Sequence, residues 1–177
     1  MIIKKTKFKG LFIIKQKNNV DRRGSLRETF NDKFIKKKFI FEYCTSSKKN
    51  VLRGFHFQTK LKQSKYVNVI KGKILDVVID LRKNSKTFKK VFKIILSKEN
   101  AQGLFIPAGF AHAYYSFDKE NIIYYKLDNY YAPKYESGII FNDKTLKIKW
   151  PKKKLIISAK DKKLQTLNSF IKKYKSL

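Results

Sequence analysis

Two histidines raise the question of chemistry first, because imidazole is the side chain whose ordinary titration spans neutral pH. His56 lies in Arg53-Gly54-Phe55-His56-Phe57-Gln58, and His112 closes Pro107-Ala108-Gly109-Phe110-Ala111-His112. Taken singly, each reads as a half-buried histidine with satisfied ring nitrogens. A metal centre in a small β-barrel needs about three or four His, Glu or Cys ligands, often with histidines two apart on one strand. Neither histidine here has a second one nearby, so the sequence predicts no metal. Organic acid–base groups would then have to carry any reaction. Tyr124, Tyr125, Tyr130 and Tyr131 fall within eight positions. On a strand, Tyr124 and Tyr130 would face away from Tyr125 and Tyr131. Sheet packing accounts for any one of them, and a phenol aimed inward as an acid is the functional alternative. Cys44 is the only cysteine and reads as a small buried hydrophobe. No glycine-rich phosphate loop and no G-x-S-x-G elbow is present, so dinucleotide, kinase and hydrolase chemistry lack support.

The elements that must position these groups are mostly strands. Leu75-Asp76-Val77-Val78-Ile79-Asp80-Leu81 has apolar odd positions and acids at 76 and 80, the period of a half-buried strand. Val67-Asn68-Val69-Ile70, then Lys71-Gly72-Lys73, then Ile74 reads as strand, tight turn, strand. Residues 91–96 and 122–127 are further apolar runs rich in β-branched or aromatic residues. Ile106-Pro107-Ala108-Gly109-Phe110 reads as a turn. Short strands between turns predict an antiparallel sandwich or small barrel. Helix signals are confined to one turn at residues 97–101, capped by Ser97, and an amphipathic helix over 161–175. The latter follows from the spacing of Leu164, Leu167, Phe170, Ile171 and Tyr174.

Composition bounds the class. The 177 residues suit one domain, which buries about 70% of its unfolded surface without needing disulfides or metal. Aromatic content of 15% excludes a disordered basic tail. The net charge of +30 invites a nucleic-acid reading, yet the basic residues are spread along the chain and only five are Arg. Lys is a hydrated point charge, whereas bidentate reading of bases and phosphates favours Arg. No nucleic-acid-binding signature is present. The charge reads as a lysine-rich solvated surface that would still attract an anionic small substrate. No apolar run approaches the roughly 18 residues of a membrane span. Residues 11–14 fall short of the about 7–15 apolar residues of a signal peptide, so the sequence predicts a cytoplasmic chain.

Taken together, the motifs resemble those of the dTDP-4-dehydrorhamnose 3,5-epimerase family. The matching stretches are Asp21-Arg22-Arg23-Gly24-Ser25-Leu26-Arg27-Glu28-Thr29-Phe30, Val51-Leu52-Arg53-Gly54-Phe55-His56-Phe57-Gln58, Gln63-Ser64-Lys65-Tyr66-Val67 and Gly72 through Arg82. They continue with Phe105 through His112, Tyr125 through Pro133, Phe141-Asn142-Asp143, Trp150-Pro151 and Ser158-Ala159-Lys160-Asp161. The match spans about residues 20–162, and as a set it is highly specific. The resemblance implies an all-β, antiparallel, cupin-like jelly-roll barrel with a short C-terminal helix, free of metal and cofactor. It implies a single unit over 1–177: N-terminal strands to about residue 50 exchanged in a homodimer, a core at 51–155, and a C-terminal segment at 156–177.

By the same resemblance, the substrate is a nucleotide-diphosphate sugar, a 4-keto-6-deoxy sugar on dTDP inverted at C3 and C5 on the route to cell-surface polysaccharide. His56 matches the base, Asp161 the carboxylate that orients it, Lys65 the cation beside the developing enolate, and Tyr125 the acid on the opposite face. Arg53 and His112 match residues lining the sugar pocket. Arg23, Glu28, Glu136 and Lys160, with Tyr131 as a weaker match, correspond to groups that bind the nucleotide and its diphosphate. The chain departs from the family pattern at Phe41-Glu42-Tyr43-Cys44, where the family usually carries a Gln-Asp-Asn-like stretch against the base, and at Lys149, where an Asp is expected. An epimerase of only C3 or only C5, acting on a different nucleotide sugar, is the rival in the same fold, because one base and one acid can serve either carbon depending on how the sugar sits. A non-catalytic sugar- or nucleic-acid-binding protein is the alternative of a different class.

Overall fold

A computed structural model describes all 177 residues as two antiparallel sheets packed face to face, with one short helix against the outside of one sheet. The strands are β1 (Ile2–Lys5), β2 (Phe12–Lys15), β3 (Asn18–Asp21), β4 (Gly24–Arg27), β5 (Phe41–Lys48), β6 (Leu52–Gln58) and β7 (Lys65–Lys71). They continue with β8 (Lys73–Asp80), β9 (Val91–Ser97), β10 (Gln102–Ile106), β11 (Phe110–Ser116), β12 (Glu120–Leu127) and β13 (Glu136–Gly138). One sheet has the order β1-β2-β10-β7-β12-β5, the other β13-β6-β11-β8-β9, and β3 and β4 form a separate hairpin. This is the jelly-roll class that the sequence implies.

The space between the sheets holds the main core, in which Val67, Val69, Val78, Leu104, Ile123 and Tyr125 meet. The second sheet is buried on its other face too. There Val77, Ile79 and Leu81 pack with Phe55, Phe57 and the C-terminal helix α1 (Leu167–Tyr174) through Leu167 and Phe170. This corrects the reading of β8 as half-buried. Its odd positions lie under the helix and its even positions face the barrel interior, so Asp76 and Asp80 are fully buried. Each is tolerated because it is paired, Asp76 with His112 and Asp80 with Arg82.

Lys71-Gly72-Lys73 joins strands as expected, but β7 and β8 belong to different sheets, so the segment turns a corner between them and closes no hairpin. Gly72 has φ +79, and a Cβ there would meet the Glu120 carbonyl at 2.5 Å. The helix expected over 161–175 is shorter. Residues Asp161–Lys163 form a single 3-10 turn, Gln165 bridges Ile139, and α1 begins only at Leu167, capped by Thr166, which accepts from the Ser169 amide. Leu164 keeps its apolar role by packing where a side chain at Gly138 would sit. Residues 98–101 form a turn whose Ser97 hydroxyl accepts from the Asn100 amide. Cys44 is exposed on β5, contrary to the expectation of burial, because it alternates outward from Tyr43 and Thr45. Tyr130 and Tyr131 lie beyond the end of β12 and are exposed, so the strand alternation expected across all four tyrosines stops at Leu127.

Candidate active site

His56 and Arg53 are three apart on β6, and a regular strand would point them to opposite faces. The strand bulges. His112 stands opposite His56 and Tyr114 opposite Arg53, so Gly54 and Phe55 together oppose Ala113. The extra residue turns Arg53 and His56 to the same, interior face. Gly54 makes this possible: its φ is +112, and a Cβ would lie 2.5 Å from the His112 carbonyl and 2.7 Å from Ala113.

Asp161 docks beneath this bulge from the 3-10 turn. Its Oδ1 is 2.8 Å from His56 Nε2, and its Oδ2 accepts the Gly54 amide at 3.0 Å. Burial alone would raise this carboxyl. The His56 hydrogen bond and charge, the Gly54 amide and the Ser158 hydroxyl outweigh it and hold the group below the usual carboxylate range. An ionised Asp161 accepts from Nε2–H and leaves the lone pair of His56 on Nδ1.

The His56 ring opens onto a cavity of about 310 Å³, lined also by Phe41, Tyr43, Gln58, Gln63, Lys65, Tyr131 and Glu136. Lys65 starts β7 on the face of Val67 and Val69. Burial lowers its ammonium to about 8, with the charges of Asp76 and Glu136 pulling the other way. Glu136 is bonded to Lys160 Nζ and Tyr131 Oη, each at 2.5 Å. Those bonds overcome the upward effect of burial and keep Glu136 ionised below its ordinary range.

Tyr125 is buried at 3% exposure among the core side chains and is not part of the cavity wall. Tyr43, directly opposite on β5, lies against it with ring centroids 4.7 Å apart, and it is Tyr43 that faces the cavity. Burial, with the neighbouring Tyr114, Tyr43 and Asp76, pushes the Tyr125 phenol well above 10. His112 lies edge-on to Tyr125, is itself buried, and bonds Asp76 Oδ2 at 2.8 Å.

The structure thus brings His56, Asp161, Lys65, Tyr131, Glu136 and Lys160 together, and sets Tyr125 and His112 in the barrel wall. Arg53 points the same way but sits apart from the cavity, donating to Ser47 Oγ and the Ser46 carbonyl. Two assignments do not join the site within this chain. Arg23 lies on the exposed β3–β4 hairpin, paired with Asp21. Glu28 accepts from Asn31 beside the N-terminus. Sequence reasoning missed Tyr43, Phe41 and Asp76. The signal for the first two was the alternation of Phe41, Tyr43, Thr45 and Ser47 against outward Glu42, Cys44, Ser46 and Lys48. For Asp76 it was an acid in the middle of an apolar strand.

The sequence model of the family described as dTDP-4-dehydrorhamnose 3,5-epimerase matches residues 5–169. A dTDP-4-dehydrorhamnose 3,5-epimerase of Methanothermobacter thermautotrophicus is 40% identical over 171 residues, which cover 92% of each chain. A crystal structure of a Legionella pneumophila dTDP-6-deoxy-D-glucose-3,5-epimerase in complex with dTDP-4-keto-L-rhamnose superposes with a TM-score of 0.90 at 35% identity, covering 94% of this chain and 93% of that one. A Bacillus anthracis dTDP-4-dehydrorhamnose 3,5-epimerase with TDP and pyrophosphate bound gives a TM-score of 0.90 at 35% identity, over 94% and 99% of the two chains.

Proposed function

The chain belongs to the dTDP-4-dehydrorhamnose 3,5-epimerase family, and from that premise we propose that it converts dTDP-4-dehydro-6-deoxy-D-glucose to dTDP-4-dehydro-L-rhamnose by inverting C3 and C5. The observation that carries this reading is the His56–Asp161 pair, 2.8 Å apart, opening onto a cavity it shares with Lys65.

Both carbons adjoin the C4 ketone, so loss of their protons leaves negative charge on the ketone oxygen. His56 takes the proton through Nδ1, while Asp161 fixes the ring and stabilises the imidazolium. A neutral imidazole is too weak a base for carbon unless the oxyanion is stabilised as it forms. Lys65 supplies that charge in a partly dry cavity, where it counts for more than in water. Inversion requires a second group across the ring, and Tyr125 returns the proton there. Tyr43 lines the cavity and Tyr125 does not, so Tyr43 must move aside for the sugar to reach Tyr125. Glu136, Tyr131 and Lys160 at the rim, with His112 in the wall and Arg53 beyond it, orient the nucleotide sugar.

No helix of the chain is long and apolar enough to cross a membrane. We place the enzyme in the cytoplasm, making deoxysugar for cell-surface polysaccharide. A homodimer that exchanges N-terminal strands would bring Arg23 and Glu28 to a partner's nucleotide. The exposure of Val20 at 73% and Leu26 at 70% on the β3–β4 hairpin supports such a docked position.

The test is incubation with dTDP-4-dehydro-6-deoxy-D-glucose in heavy water, followed by NMR. Deuterium entering both C3 and C5 is the expected result. Deuterium at one carbon alone identifies a one-carbon epimerase, and none, with the fold intact, overturns the reading.

A further inference from the structure

Tyr131 sits on the irregular segment between β12 and the 3-10 turn at Pro133–Tyr135, with 51% of its surface exposed. A side chain on a loose segment must be ordered when its ligand arrives, and that ordering weakens binding. In this chain the segment is held in advance, from beneath, by the strand that carries His56.

Gly138 stands opposite His56 and Glu136 opposite Gln58, so Gln58 follows His56 on the same face of β6. The Gln58 side chain lines the cavity and is buried. Its Oε1 accepts the Ala132 amide at 2.7 Å, and its Nε2 donates to the Tyr130 carbonyl at 3.3 Å. The two residues it grips flank Tyr131 on either side. Nε2 also donates to the Leu61 carbonyl at 2.7 Å. Leu61 has φ +48, a conformation that a non-glycine residue keeps only where its surroundings enforce it. Both N–H donors and the oxygen of the amide are therefore engaged with backbone. Held in this way, Tyr131 donates its hydroxyl to Glu136, which also accepts from Lys160. A hydrocarbon at position 58 would fill the space but leave three backbone groups without this partner. A carboxylate would turn lone pairs toward two carbonyls.

We propose that Gln58 is a positioning residue: it fixes Tyr131, and with it the Tyr131–Glu136–Lys160 trio, in the arrangement that receives the nucleotide sugar. The proposal rests on the epimerase reading and on that trio as a contact to the substrate. Gln58 acts through Tyr131 and takes no part in proton transfer. Its removal therefore weakens binding and leaves the chemistry at His56 and Asp161 unchanged.

Steady-state kinetics with dTDP-4-dehydro-6-deoxy-D-glucose tests this. Gln58→Met, similar in shape but without the amide, is expected to raise KM about tenfold with kcat within about twofold of wild type. Tyr131→Phe should raise KM about fivefold in the wild-type background and less than about twofold beside Gln58→Met, because the contact it removes is already misplaced. A general loosening of the fold would leave the two effects independent. Gln58→Glu supplies a readout within one nearly isosteric protein. Burial favours the protonated carboxyl, which regains an O–H donor, so its KM relative to wild type should fall as pH is lowered from about 8 to about 6. The proposal is overturned if Gln58→Met keeps the wild-type KM, if it lowers kcat alone, or if the Tyr131→Phe effect is undiminished beside it. Should Gln58→Met fail to fold, a Gln58→Glu KM ratio that does not change with pH overturns it instead. Wild-type protein inactive on this substrate would sink the epimerase reading, and the role of Gln58 with it.

Discussion

Tyr43 lies flat on Tyr125, with ring planes 23° apart, and stands between it and the cavity that His56 lines. Of these two stacked phenols only Tyr43 lines the cavity, and Phe substitutions separate their roles. Without its acid, the enzyme can still remove a proton through His56 and return one to the same face. Tyr125→Phe should thus keep deuterium exchange at C3 and C5 while inversion falls about 10²-fold or more, read by NMR in heavy water. Tyr43→Phe keeps the stacking and should retain inversion within about tenfold. The opposite pattern would make Tyr43 the acid.

Asp161 fixes which nitrogen of His56 carries the hydrogen. Asp161→Asn turns an amide NH2 toward Nε2, which must then accept, and the hydrogen moves to Nδ1 where the lone pair is needed. The expected outcome is a kcat lower by about 10²–10⁴-fold with KM changed little. Circular dichroism should show the fold retained, since the Asn oxygen can still accept the Gly54 amide. A variant within tenfold of wild type would remove Asp161 from the mechanism.

Lys65 gives the pH dependence a sign. Its ammonium is lowered by burial to about 8 from the ordinary 10.5, and in the proposed mechanism it stabilises the enolate only while protonated. The profile of kcat/KM, which reports the free enzyme, should therefore fall as pH rises through about 8. Stability runs the other way. The folded protein loses this proton before the unfolded chain does, so between about 8 and 10.5 the unfolded state binds more protons and stability rises with pH. Lys65→Met should flatten that rise in urea unfolding while lowering kcat by about 10²–10³-fold. A rise of the same size in the variant would contradict the assignment.

These charges and rings were unequally legible in the amino-acid order. Alternation located β8, apolar runs rich in β-branched or aromatic residues located β9 and β12, and the sparse Gly and Pro marked turns between strands. It failed on Asp76 and Asp80 because a strand buried on both faces has no solvent side, so an acid there signals a buried pair. It could not place Arg53 and His56 on one face, because a bulge breaks the period of two, and a bulge is fixed by the partner strand. The C-terminal helix was read as starting six residues too early because apolar spacing persists through Leu164, while the bridge from Gln165 to Ile139 competes for that backbone. Cys44 was misjudged because lone cysteines favour cores, whereas its neighbours Tyr43 and Thr45 decide which way it faces.

Gly54 provides the sharpest test of how the site is built. Ala at this position requires a Cβ within 2.5 Å of the His112 carbonyl at a φ of +112. Gly54→Ala should lose about 3 kcal/mol or more of stability by urea unfolding, through steric overlap and backbone strain. Gly24→Ala, where a Cβ would meet nothing within 4 Å, should lose less despite its φ of +128. Equal losses at the two glycines would show that backbone conformation alone, and not the close approach of β6 to β11, decides the matter.

The position of β5 at the end of its sheet, bonded only to β12, has a bearing on how such enzymes diversify. Phe41 and Tyr43 sit on this outermost strand, whereas His56 is anchored in the opposite sheet. Mutations at Phe41 and Tyr43 disturb a single neighbouring strand and leave the His56–Asp161 pair untouched. A lineage can therefore drift toward a new sugar or base without first dismantling its catalyst.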